Sequence, residues 1–400
     1  MKILLIDVNC KYSSTGKIVY DLYQKLHKDG HDVAVCYGRG EKIHEPGIYK
    51  FGIDLETKIH AGLARITGLN GYFSPISTAR IIKFIDEFKP DVIHIHELHA
   101  YFVNIYALLK HIKKTGVKVV WTFHCEYMYT GKCGYSYDCI NFQSSCGNCP
   151  AVKDYPKSLF FDWTHKMFMD KKKLLEDWKF TVVTPSKWLA DRVKLSFLKN
   201  HNIIVIHNGI DTGDIFYPRK RADCEDIKKQ FGLEGKKIIL AVAPNIMDER
   251  KGGKTVLVLS EKLKDPNICF VLVGADETRK FNERVQLVSR TKNQDELALW
   301  YSTADVFLIC SKRENFPTTC LEALSCGTPI VGIDEGGTKE TAPAPYGIFV
   351  KNDLMLLEDA IRTQLAANFN KDEISLKAKE LYAMEVMYRN YLEVYRGLCE

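Results

Sequence analysis

Residues 311–329 of the chain read Ser-Lys-Arg-Glu-Asn-Phe-Pro-Thr-Thr-Cys-Leu-Glu-Ala-Leu-Ser-Cys-Gly-Thr-Pro. One short apolar run, residues 305–310, precedes this stretch, and a second, residues 329–333, follows it. Such runs are typical of buried parallel strands, so the stretch predicts a strand-to-helix turn and a helix that starts near Pro317. Strands alternating with helices predict an α/β fold built on parallel sheets.

The predicted helix has an N-terminus that suits an anion. The backbone N–H groups of Thr318 and Thr319 have no partner within the helix and face the crevice at the strand ends, where a phosphate is stabilised. Glu314 lies on the loop and Glu322 one or two turns into the helix, so one carboxylate can meet a sugar and the other two ribose hydroxyls. An isolated pair of glutamates would more often be one capping and one solvated residue.

The two glutamates resemble the Glu-x7-Glu motif of retaining GT-B glycosyltransferases of family 4, and Gly327-Thr328-Pro329 and the flanking strands also match that family. The resemblance implies two Rossmann-like parallel-sheet domains that face a central cleft. It also implies a nucleoside diphosphate sugar as donor, with a UDP-sugar favoured. The residues it assigns to the donor here are Glu314, Asn315, Phe316, Pro317, Thr318, Thr319 and Glu322.

The α/β pattern occurs twice along the chain. The predicted strands are Ile3–Asp7, Val33–Tyr37, Asp91–Ile95, Lys118–Thr122, Phe180–Thr184, Ile203–Ile206, Ile238–Val242, Cys269–Val273, Val306–Ile309 and Ile330–Ile333. We place the hinge near Ile203, which gives an N-terminal acceptor-side domain at 1–202 and a C-terminal nucleotide-sugar domain at 203–380. The resemblance implies that residues 381–400 form a helix that crosses back onto the first domain.

Composition limits the class of protein. The 400 residues are 46% hydrophobic, which is enough for two cores. Lys and Arg exceed Asp and Glu by only 56 to 50, with no long block of like charge, so nucleic acid is not an expected partner. No apolar run suits a signal peptide or the ~18 residues of a membrane span. We therefore expect a soluble, cytoplasmic protein whose 13 cysteines are reduced.

Residues 243–252, Ala-Pro-Asn-Ile-Met-Asp-Glu-Arg-Lys-Gly, resemble the family's phosphate-binding segment. Lys251 aligns with the lysine that neutralises the donor diphosphate, and a leaving diphosphate requires a fixed cation. The family arginine six residues earlier is Asn245 here, and we count Asn245 among the predicted donor-binding residues. We expect Arg250 to compensate, because its planar guanidinium can bind phosphate through two hydrogen bonds. An Arg-Lys pair on a surface would otherwise be unremarkable.

Gly16 lies between the first predicted strand and helix, where a missing Cβ lets the backbone approach a phosphate. A turn glycine needs no ligand, however. The pattern G-x-G-x-x-G followed by an acidic residue ~20 positions later is absent, which argues against NAD. The family carries a glycine-bearing loop beside the donor phosphates at this place, and the resemblance assigns Gly16 to that role.

Histidines follow two predicted strands. His94 and His96 alternate with apolar neighbours, so we expect both to be hydrogen-bonded core residues. His124 ends a strand at the edge where such sheets bind ligands. In the family, a histidine at this place approaches the donor sugar and is commonly followed by aspartate. Here Cys125 stands in place of that aspartate, and Glu126 is the neighbouring carboxylate that could substitute.

The chain contains no Asp-x-Asp sequence, the motif by which the other large glycosyltransferase fold holds a metal and a diphosphate. We therefore expect catalysis without a divalent cation. The helix dipole would share the charge of the leaving group with cationic side chains. The predicted catalytic residues are His124, Lys251, Arg250 and Glu314.

Five of the 13 cysteines fall within residues 125–149. Cys146-Gly147-Asn148-Cys149 is a C-x2-C pair, and four thiolates would satisfy a tetrahedral structural zinc. The predicted ligands are Cys133, Cys139, Cys146 and Cys149. The alternative is a loop with buried free thiols. The segment 125–150 resembles cysteine-bearing inserts of family-4 enzymes that build bacterial surface polysaccharides, which implies a position beside the acceptor.

Residues 159–173 interleave aromatic residues with lysines. This pattern fits either a helix on a membrane surface or, as we favour, a helix with a core face and solvated lysines. The resemblance predicts a retaining hexosyltransferase whose acceptor is a saccharide or a lipid-linked saccharide. The protein would make peripheral contact with the inner face of the membrane. Two alternatives are a non-catalytic sugar-nucleotide-binding relative, suggested by Asn245 and Cys125, and an epimerase or hydrolase on the same fold.

Overall fold

The computed structural model describes residues 1–276 and 281–400. Its strands are β1 (Lys2–Asp7), β2 (Asp32–Tyr37), β3 (Ile48–Lys50), β4 (Val92–Ile95), β5 (Lys118–Thr122), β6 (Thr181–Thr184), β7 (Asn202–Val205), β8 (Lys237–Val242), β9 (Ile268–Val273), β10 (Val285–Val288), β11 (Val306–Ile309), β12 (Ile330–Ile333) and β13 (Gly347–Val350). Its α-helices are α1 (Ser14–Lys28), α2 (Asp54–Thr67), α3 (Pro75–Phe88), α4 (Ile105–Thr115), α5 (Thr164–Leu175), α6 (Lys187–Lys194), α7 (Arg221–Gln230), α8 (Gly253–Lys262), α9 (Gln294–Thr303), α10 (Thr318–Ser325), α11 (Leu354–Ala366), α12 (Lys371–Tyr382) and α13 (Met384–Cys399). Among the helices of the described residues, none has the length and apolar character that a membrane crossing needs.

The chain forms two compact units. The first comprises Met1–Ile206 and Tyr388–Glu400, and the second comprises His207–Met387. The first unit extends past the predicted end at residue 202, because all of β7 pairs in parallel with β6. Both units are α/β, as the alternation of strands and helices predicts.

The first unit is built on a seven-stranded sheet with the order β3-β2-β1-β4-β5-β6-β7. Every neighbouring pair is parallel. Its central strands are almost wholly buried, because helices cover both faces of a parallel sheet. The order reverses between β1 and β4, so the loops after these two strands open a crevice at the carboxyl edge of the sheet.

The second unit contains a six-stranded sheet with the order β10-β9-β8-β11-β12-β13, again parallel throughout. The order reverses between β8 and β11. Residues 243–252 follow β8, and residues 311–317 follow β11. The topology therefore brings the two segments with the strongest sequence signals to the one position of this sheet where ligands are expected.

Helix α13 carries tyrosines at helical spacing, and from Tyr388 onwards it belongs to the first unit. Tyr391 and Tyr395 are buried. The Tyr395 hydroxyl lies 2.6 Å from Nδ1 of His94, and the Tyr391 hydroxyl lies 2.9 Å from Oγ1 of Thr122. The C-terminal helix thus completes the hydrogen bonding of polar groups on the central strands β4 and β5.

Candidate active site

The loops after β8 and β11 are joined by main-chain and side-chain contacts. The Lys312 N–H donates to the Arg250 carbonyl at 2.9 Å, and the Lys312 ammonium donates to Glu249 at 2.6 Å. In the same region, Lys251 Nζ lies 2.6 Å from Glu314 Oε1. The structure therefore brings together two residues that are 63 positions apart and that the sequence assigned separately to the diphosphate and the sugar.

Two glycines allow these loops to approach closely. Gly252 has a φ of 73°, and a Cβ there would lie 2.0 Å from the Cys310 carbonyl oxygen. Gly336 has a φ of 67°, and its Cβ would lie 2.0 Å from the carbonyl oxygen of Glu314, with which it forms a β-bridge. A side chain at either position would push the loops apart, because both the backbone conformation and the space exclude it.

Helix α10 begins beside Glu314 with an N-terminus suited to an anion. Pro317 is the N-cap residue and, within the described part of the chain, no side chain caps this helix. Thr318 and Thr319 in the first turn are half-buried. The N–H groups of a helix's first turn and its dipole attract negative charge. Phosphate oxygens at this end would therefore meet backbone donors, with Lys251 held nearby through Glu314.

Glu322 is oriented by a residue that the sequence analysis missed. The hydroxyl of Tyr301, on α9, donates to Glu322 Oε2 at 3.0 Å. Tyr301 is wholly buried, and burial raises the pKa of its hydroxyl well above the ordinary value, so it remains a proton donor. One oxygen of the half-buried Glu322 carboxylate is thus fixed from within the protein. Tyr301 belongs to no sequence motif, so only the three-dimensional contact with Glu322 identifies it.

Asn315 and Phe316 are placed differently from the other predicted donor residues. Both side chains are buried, with exposures of 5% and 4%. Phe316 stacks on His207 with ring centroids 4.6 Å apart, and its carbonyl accepts from the Asn208 side chain at 3.0 Å. These residues anchor the turn before α10, so their side chains face the protein interior while Glu314 and Thr318 remain partly exposed.

Asn245 and Arg250 are exposed on the loop after β8. Asn245 Oδ1 accepts from the Met247 N–H at 3.2 Å, which makes it a turn residue. Arg250 Nε lies 3.5 Å from Asp248. Arg290, which follows β10, donates to the carbonyl of Pro244 at 3.4 Å and was missed by the sequence analysis. It is a second arginine beside the position where the family arginine is replaced by Asn245.

The crevice of the first sheet is organised by Asp7, at the end of β1. One Asp7 oxygen accepts from the Glu97 N–H at 2.9 Å, and the other accepts from the Thr15 hydroxyl at 3.1 Å. Burial raises the pKa of Asp7 to about 7. Gly16 is in the first turn of α1, where its N–H donates to Ser13 Oγ at 3.3 Å and its carbonyl accepts from Lys11 at 2.8 Å. Both polar backbone groups of Gly16 are therefore engaged in closing this loop.

His94 and His96 are buried and hydrogen-bonded, which confirms their predicted structural role. His96 Nδ1 lies 3.0 Å from Nε2 of His124, and the two rings stack with centroids 5.3 Å apart. Burial lowers the pKa of all three histidines, in the case of His94 to about 3. The half-buried His124 is thus a neutral imidazole, which can exchange hydrogen bonds with a sugar without carrying charge.

Glu126 is not available as a substitute for the family aspartate. Its side chain is fully buried and forms an ion pair with Arg192 of α6. It also accepts from the Ser136 N–H at 2.6 Å and from the Tyr129 hydroxyl at 3.1 Å. A buried carboxylate needs this number of donors, so Glu126 holds the cysteine segment onto the first unit instead of facing a ligand.

The four predicted metal-binding cysteines line one cavity, whose empty volume is about 310 Å³ with open solvent at its mouth included. They are Cys133, Cys139, Cys146 and Cys149. The Gly131 N–H donates to the sulfur of Cys146 at 3.1 Å. All four cysteines are free thiols. The four thiols therefore face one cavity. Their sulfur atoms are not yet as close as metal ligands would be: among residues 1–276 and 281–400, they do not form a group whose ligand atoms all lie within 4.8 Å of one another.

Helix α5 has a buried face and an exposed face, as we expected for residues 159–173, with one difference. Met167, Phe168 and Leu175 are buried. Lys171, expected on the solvated face, is buried too; its ammonium donates to the Tyr127 carbonyl at 2.6 Å and lies 4.1 Å from the Tyr127 ring centroid. The exposed aromatic residues lie in the preceding loop instead, where Phe160 is 72% exposed.

Comparisons with known proteins identify the family of the chain. Residues 15–214 match the family described as Glycosyltransferase Family 4, and residues 223–379 match Glycosyl transferases group 1. The putative colanic acid biosynthesis glycosyl transferase WcaC of Escherichia coli (strain K12) is 23% identical over 421 residues and is covered completely, as is this chain.

Two solved structures show the same fold. Sucrose-phosphate synthase from Thermosynechococcus elongatus has a TM-score of 0.71 at 19% identity, with 99% of this chain and 98% of that chain covered. HepE from Anabaena, solved in complex with UDP-glucose, has a TM-score of 0.68 at 14% identity. The match covers 99% of this chain and 100% of the HepE chain. The family match, the two Rossmann-like units and these neighbours lead to one conclusion: the chain belongs to glycosyltransferase family 4 and is a glycosyltransferase of the GT-B fold.

Proposed function

We propose that this glycosyltransferase transfers a hexosyl unit, with retention of anomeric configuration, from a UDP-sugar to a saccharide or lipid-linked saccharide during surface polysaccharide synthesis in the cytoplasm. The observation that carries the proposal is the contact between Lys251 and Glu314 beside the uncapped N-terminus of α10. The WcaC relative supports the polysaccharide assignment, and the UDP-glucose complex of HepE supports the donor class.

The donor would bind to the second unit through groups that are already in place. Phosphate oxygens would accept from the N–H groups of Thr318 and Thr319, and the ribose hydroxyls would donate to Glu322. Because Lys251 is paired with Glu314 in the free protein, an incoming phosphate competes for the lysine. Binding would then release the Glu314 carboxylate to accept a hydrogen bond from the sugar. The backbone of Asn315, Phe316 and Pro317 would set the distance between the Glu314 carboxylate and the N–H groups at the start of α10.

The chemical step would break the bond between the anomeric carbon and the diphosphate oxygen and form a bond from the acceptor oxygen to the same carbon, on the same face. The acceptor proton would pass to the departing phosphate. Lys251, Arg250 and the dipole of α10 would stabilise the negative charge on the leaving diphosphate. Arg290 and Asn245 lie at the edge of this region, and neutral His124 would bind a sugar hydroxyl. Gly16 would border the donor phosphates.

The cysteine segment would have a structural role. Cys133, Cys139, Cys146 and Cys149 line one cavity, and four thiolates match the coordination that zinc prefers in structural sites. The sulfurs would draw together around the ion as it binds. Four protein ligands leave no coordination position for a reacting water, so this zinc would stabilise the insert. Elemental analysis of protein purified without chelator tests this, because Cys146→Ser should release one zinc per chain.

Peripheral membrane contact would use an apolar surface of the first unit. Leu55, Ile59, Leu63 and Ile66 are exposed at helical spacing on α2. The loop with Leu159, Phe160, Phe161 and Trp163, all exposed, is attached to the end of α2, since the Leu159 N–H donates to the Arg65 carbonyl at 2.8 Å. Lys58 and Lys157 are exposed on the same two segments. Aromatic and aliphatic groups beside cations suit an anionic lipid surface.

Vesicle flotation tests the membrane contact. We expect binding to anionic phosphatidylglycerol vesicles that falls with added salt. Phe160→Ser combined with Ile59→Ser should weaken binding, whereas Leu376→Ser, an exposed leucine of the second unit, should not. Equal flotation of all three proteins would contradict the assignment of this surface.

A donor screen tests the proposed reaction. UDP-, GDP- and ADP-sugars should differ in how far they raise the melting temperature, with a UDP-sugar giving the largest rise. The consumption of that donor should then require an acceptor, and proton NMR should show the donor's anomeric configuration in the product. Turnover without an acceptor would instead indicate the epimerase or hydrolase alternative, and binding without any turnover the non-catalytic one.

A further inference from the structure

The strongest unassigned cluster lies at the crevice of the first sheet, on the loops after β4 and β5. Among the described residues, Glu97, His99 and Cys125 form the group of metal-binding side chains whose ligand atoms all lie within 4.8 Å of one another. Cys125 Sγ lies 3.6 Å from Glu97 Oε2, and His99 Nδ1 lies against the same carboxylate. The cluster shares no residue with the four-cysteine cavity.

The burial of Glu97 requires a positive charge beside it. Glu97 is only 8% exposed, and a carboxylate taken out of water needs a partner of opposite charge. The buried His99 Nδ1 is such a partner, because it forms an ion pair with the Glu97 carboxylate. Within this cluster, then, a carboxylate oxygen, an imidazole nitrogen and a sulfur converge closely enough for one metal ion to contact all three.

Neighbouring groups hold the three side chains in position. Asp7 accepts from the Glu97 N–H at 2.9 Å, and the His99 ring stacks on Tyr127 with centroids 5.3 Å apart. Tyr127 is itself fixed, because its hydroxyl donates to Asn70 Oδ1 at 2.8 Å. Supporting contacts of this kind orient metal ligands before the ion arrives.

We propose that Glu97, His99 and Cys125 bind a divalent cation of the zinc type. One thiolate, one imidazole and one carboxylate are ligands that Zn²⁺ and Co²⁺ accept, whereas Mg²⁺ and Ca²⁺ prefer oxygen ligands only. Three protein ligands leave a fourth coordination position for a water or another exchangeable ligand. The ion would join the loop after β4 to the segment after β5. This proposal is independent of the donor chemistry in the second unit.

Cobalt titration of the full-length, chelator-treated protein tests the proposal. Cobalt bound to a thiolate absorbs in the near ultraviolet, and its visible bands report the coordination number. We expect Cys125→Ser to bind one Co²⁺ fewer per chain than wild type and to lose part of the thiolate band. The matched control is Cys224→Ser, a partly exposed cysteine of the second unit, which should titrate as wild type does.

Two further variants separate this cluster from the four-cysteine cavity. Cys146→Ser should keep the Glu97 cluster and bind one Co²⁺ with a single-thiolate spectrum. Adding His99→Gln to Cys146→Ser should abolish that remaining binding, with the circular dichroism spectrum unchanged. Two results would contradict the proposal. The first is that Cys125→Ser and the single variant His99→Gln bind as many Co²⁺ and Zn²⁺ ions as Cys224→Ser, with the same affinity; the second is that Cys146→Ser binds no metal. Either result would show that the cluster is an ion pair with a neighbouring thiol.

Discussion

Lys251 Nζ lies 2.6 Å from Glu314 Oε1, although the two residues belong to loops that follow different strands, β8 and β11, at the position where the strand order of the second sheet reverses. The side chains are partly exposed, at 26% and 14%, so the ion pair contributes little to folding. In the proposed mechanism this ion pair is exchanged: the donor diphosphate would replace Glu314 as the partner of Lys251.

The first prediction concerns the ribose ligand. Glu322→Ala should weaken UDP binding by about 1–3 kcal/mol, because charge-assisted hydrogen bonds to the ribose are lost. Tyr301→Phe should weaken it by about 0.5–1.5 kcal/mol through the lost orientation of Glu322. Calorimetric titration measures both. Glu373→Ala, an exposed glutamate of the same unit, is the control and should bind UDP normally. Unchanged affinity in Glu322→Ala would remove Glu322 from the donor site.

The second prediction concerns the buried ion pair of the first unit. Glu126→Ala should lower the free energy of unfolding by about 3–5 kcal/mol, since it leaves the Arg192 charge without its partner. The control is Lys194→Ala, on the exposed face of α6, the helix that carries Arg192. It should change the free energy of unfolding by less than about 0.5 kcal/mol. Urea denaturation followed by fluorescence compares the variants. A Glu126→Ala protein of normal stability but without transferase activity would instead favour a direct role in the reaction.

The third prediction is a pH dependence of stability. Burial lowers the pKa of His60 from 6.5 to about 4, and Gly71 donates to its Nε2 at 3.3 Å. The folded state keeps His60 neutral, whereas the unfolded chain binds a proton below pH 6.5. Neutral His60 therefore contributes up to about 3 kcal/mol to the free energy of unfolding. This contribution is present above about pH 6.5 and is lost as the pH falls towards 4.

Melting temperatures between pH 7 and pH 4 test this dependence. His60→Gln should show a smaller loss of stability over this range than wild type does. His44→Gln, at an exposed position, should follow the wild-type curve. Parallel curves for wild type and His60→Gln would show that His60 titrates normally in the folded protein.

The fourth prediction follows from the absence of an Asp-x-Asp sequence. Transfer should not require Mg²⁺ or Mn²⁺, because in the proposed mechanism Lys251, Arg250 and α10 would supply the positive charge for the diphosphate. Activity assays after EDTA treatment and desalting measure this. A loss that Zn²⁺ alone restores would point to the cysteine-containing sites. A loss that Mg²⁺ or Mn²⁺ specifically restores, in protein that remains folded, would contradict the mechanism.

The sequence predicted the central strands of both sheets and the edge strand β7, but it missed three other edge strands. Every predicted strand is present within one residue at each end. Within residues 1–276 and 281–400, the three strands that it missed are β3, β10 and β13, and all of them lie at sheet edges. Most of their residues are only partly buried, so they lack the continuous apolar runs that identify central strands.

The candidate site was predictable to the extent that motifs record it. Glu314 and Lys251 carry family signals, and the structure brings them into contact. Tyr301 and Arg290 carry none, since they act through contacts between elements distant in sequence. Glu126 misled the prediction for the opposite reason: its position in the sequence suggested a ligand-facing carboxylate, but burial against Arg192 determines its role.

The most direct test of the proposed donor site is calorimetric titration of UDP into wild type, Lys251→Met and Glu314→Gln. Lys251→Met should bind UDP at least about tenfold more weakly, because a charge-assisted contact to phosphate is lost. Glu314→Gln should bind UDP as tightly as wild type or more tightly, because the competing carboxylate is gone, while its transfer rate falls. Lys254→Met, an exposed lysine three residues away, should bind as wild type does. Equal UDP affinity in Lys251→Met and wild type would contradict the central claim that this lysine exchanges Glu314 for the donor diphosphate.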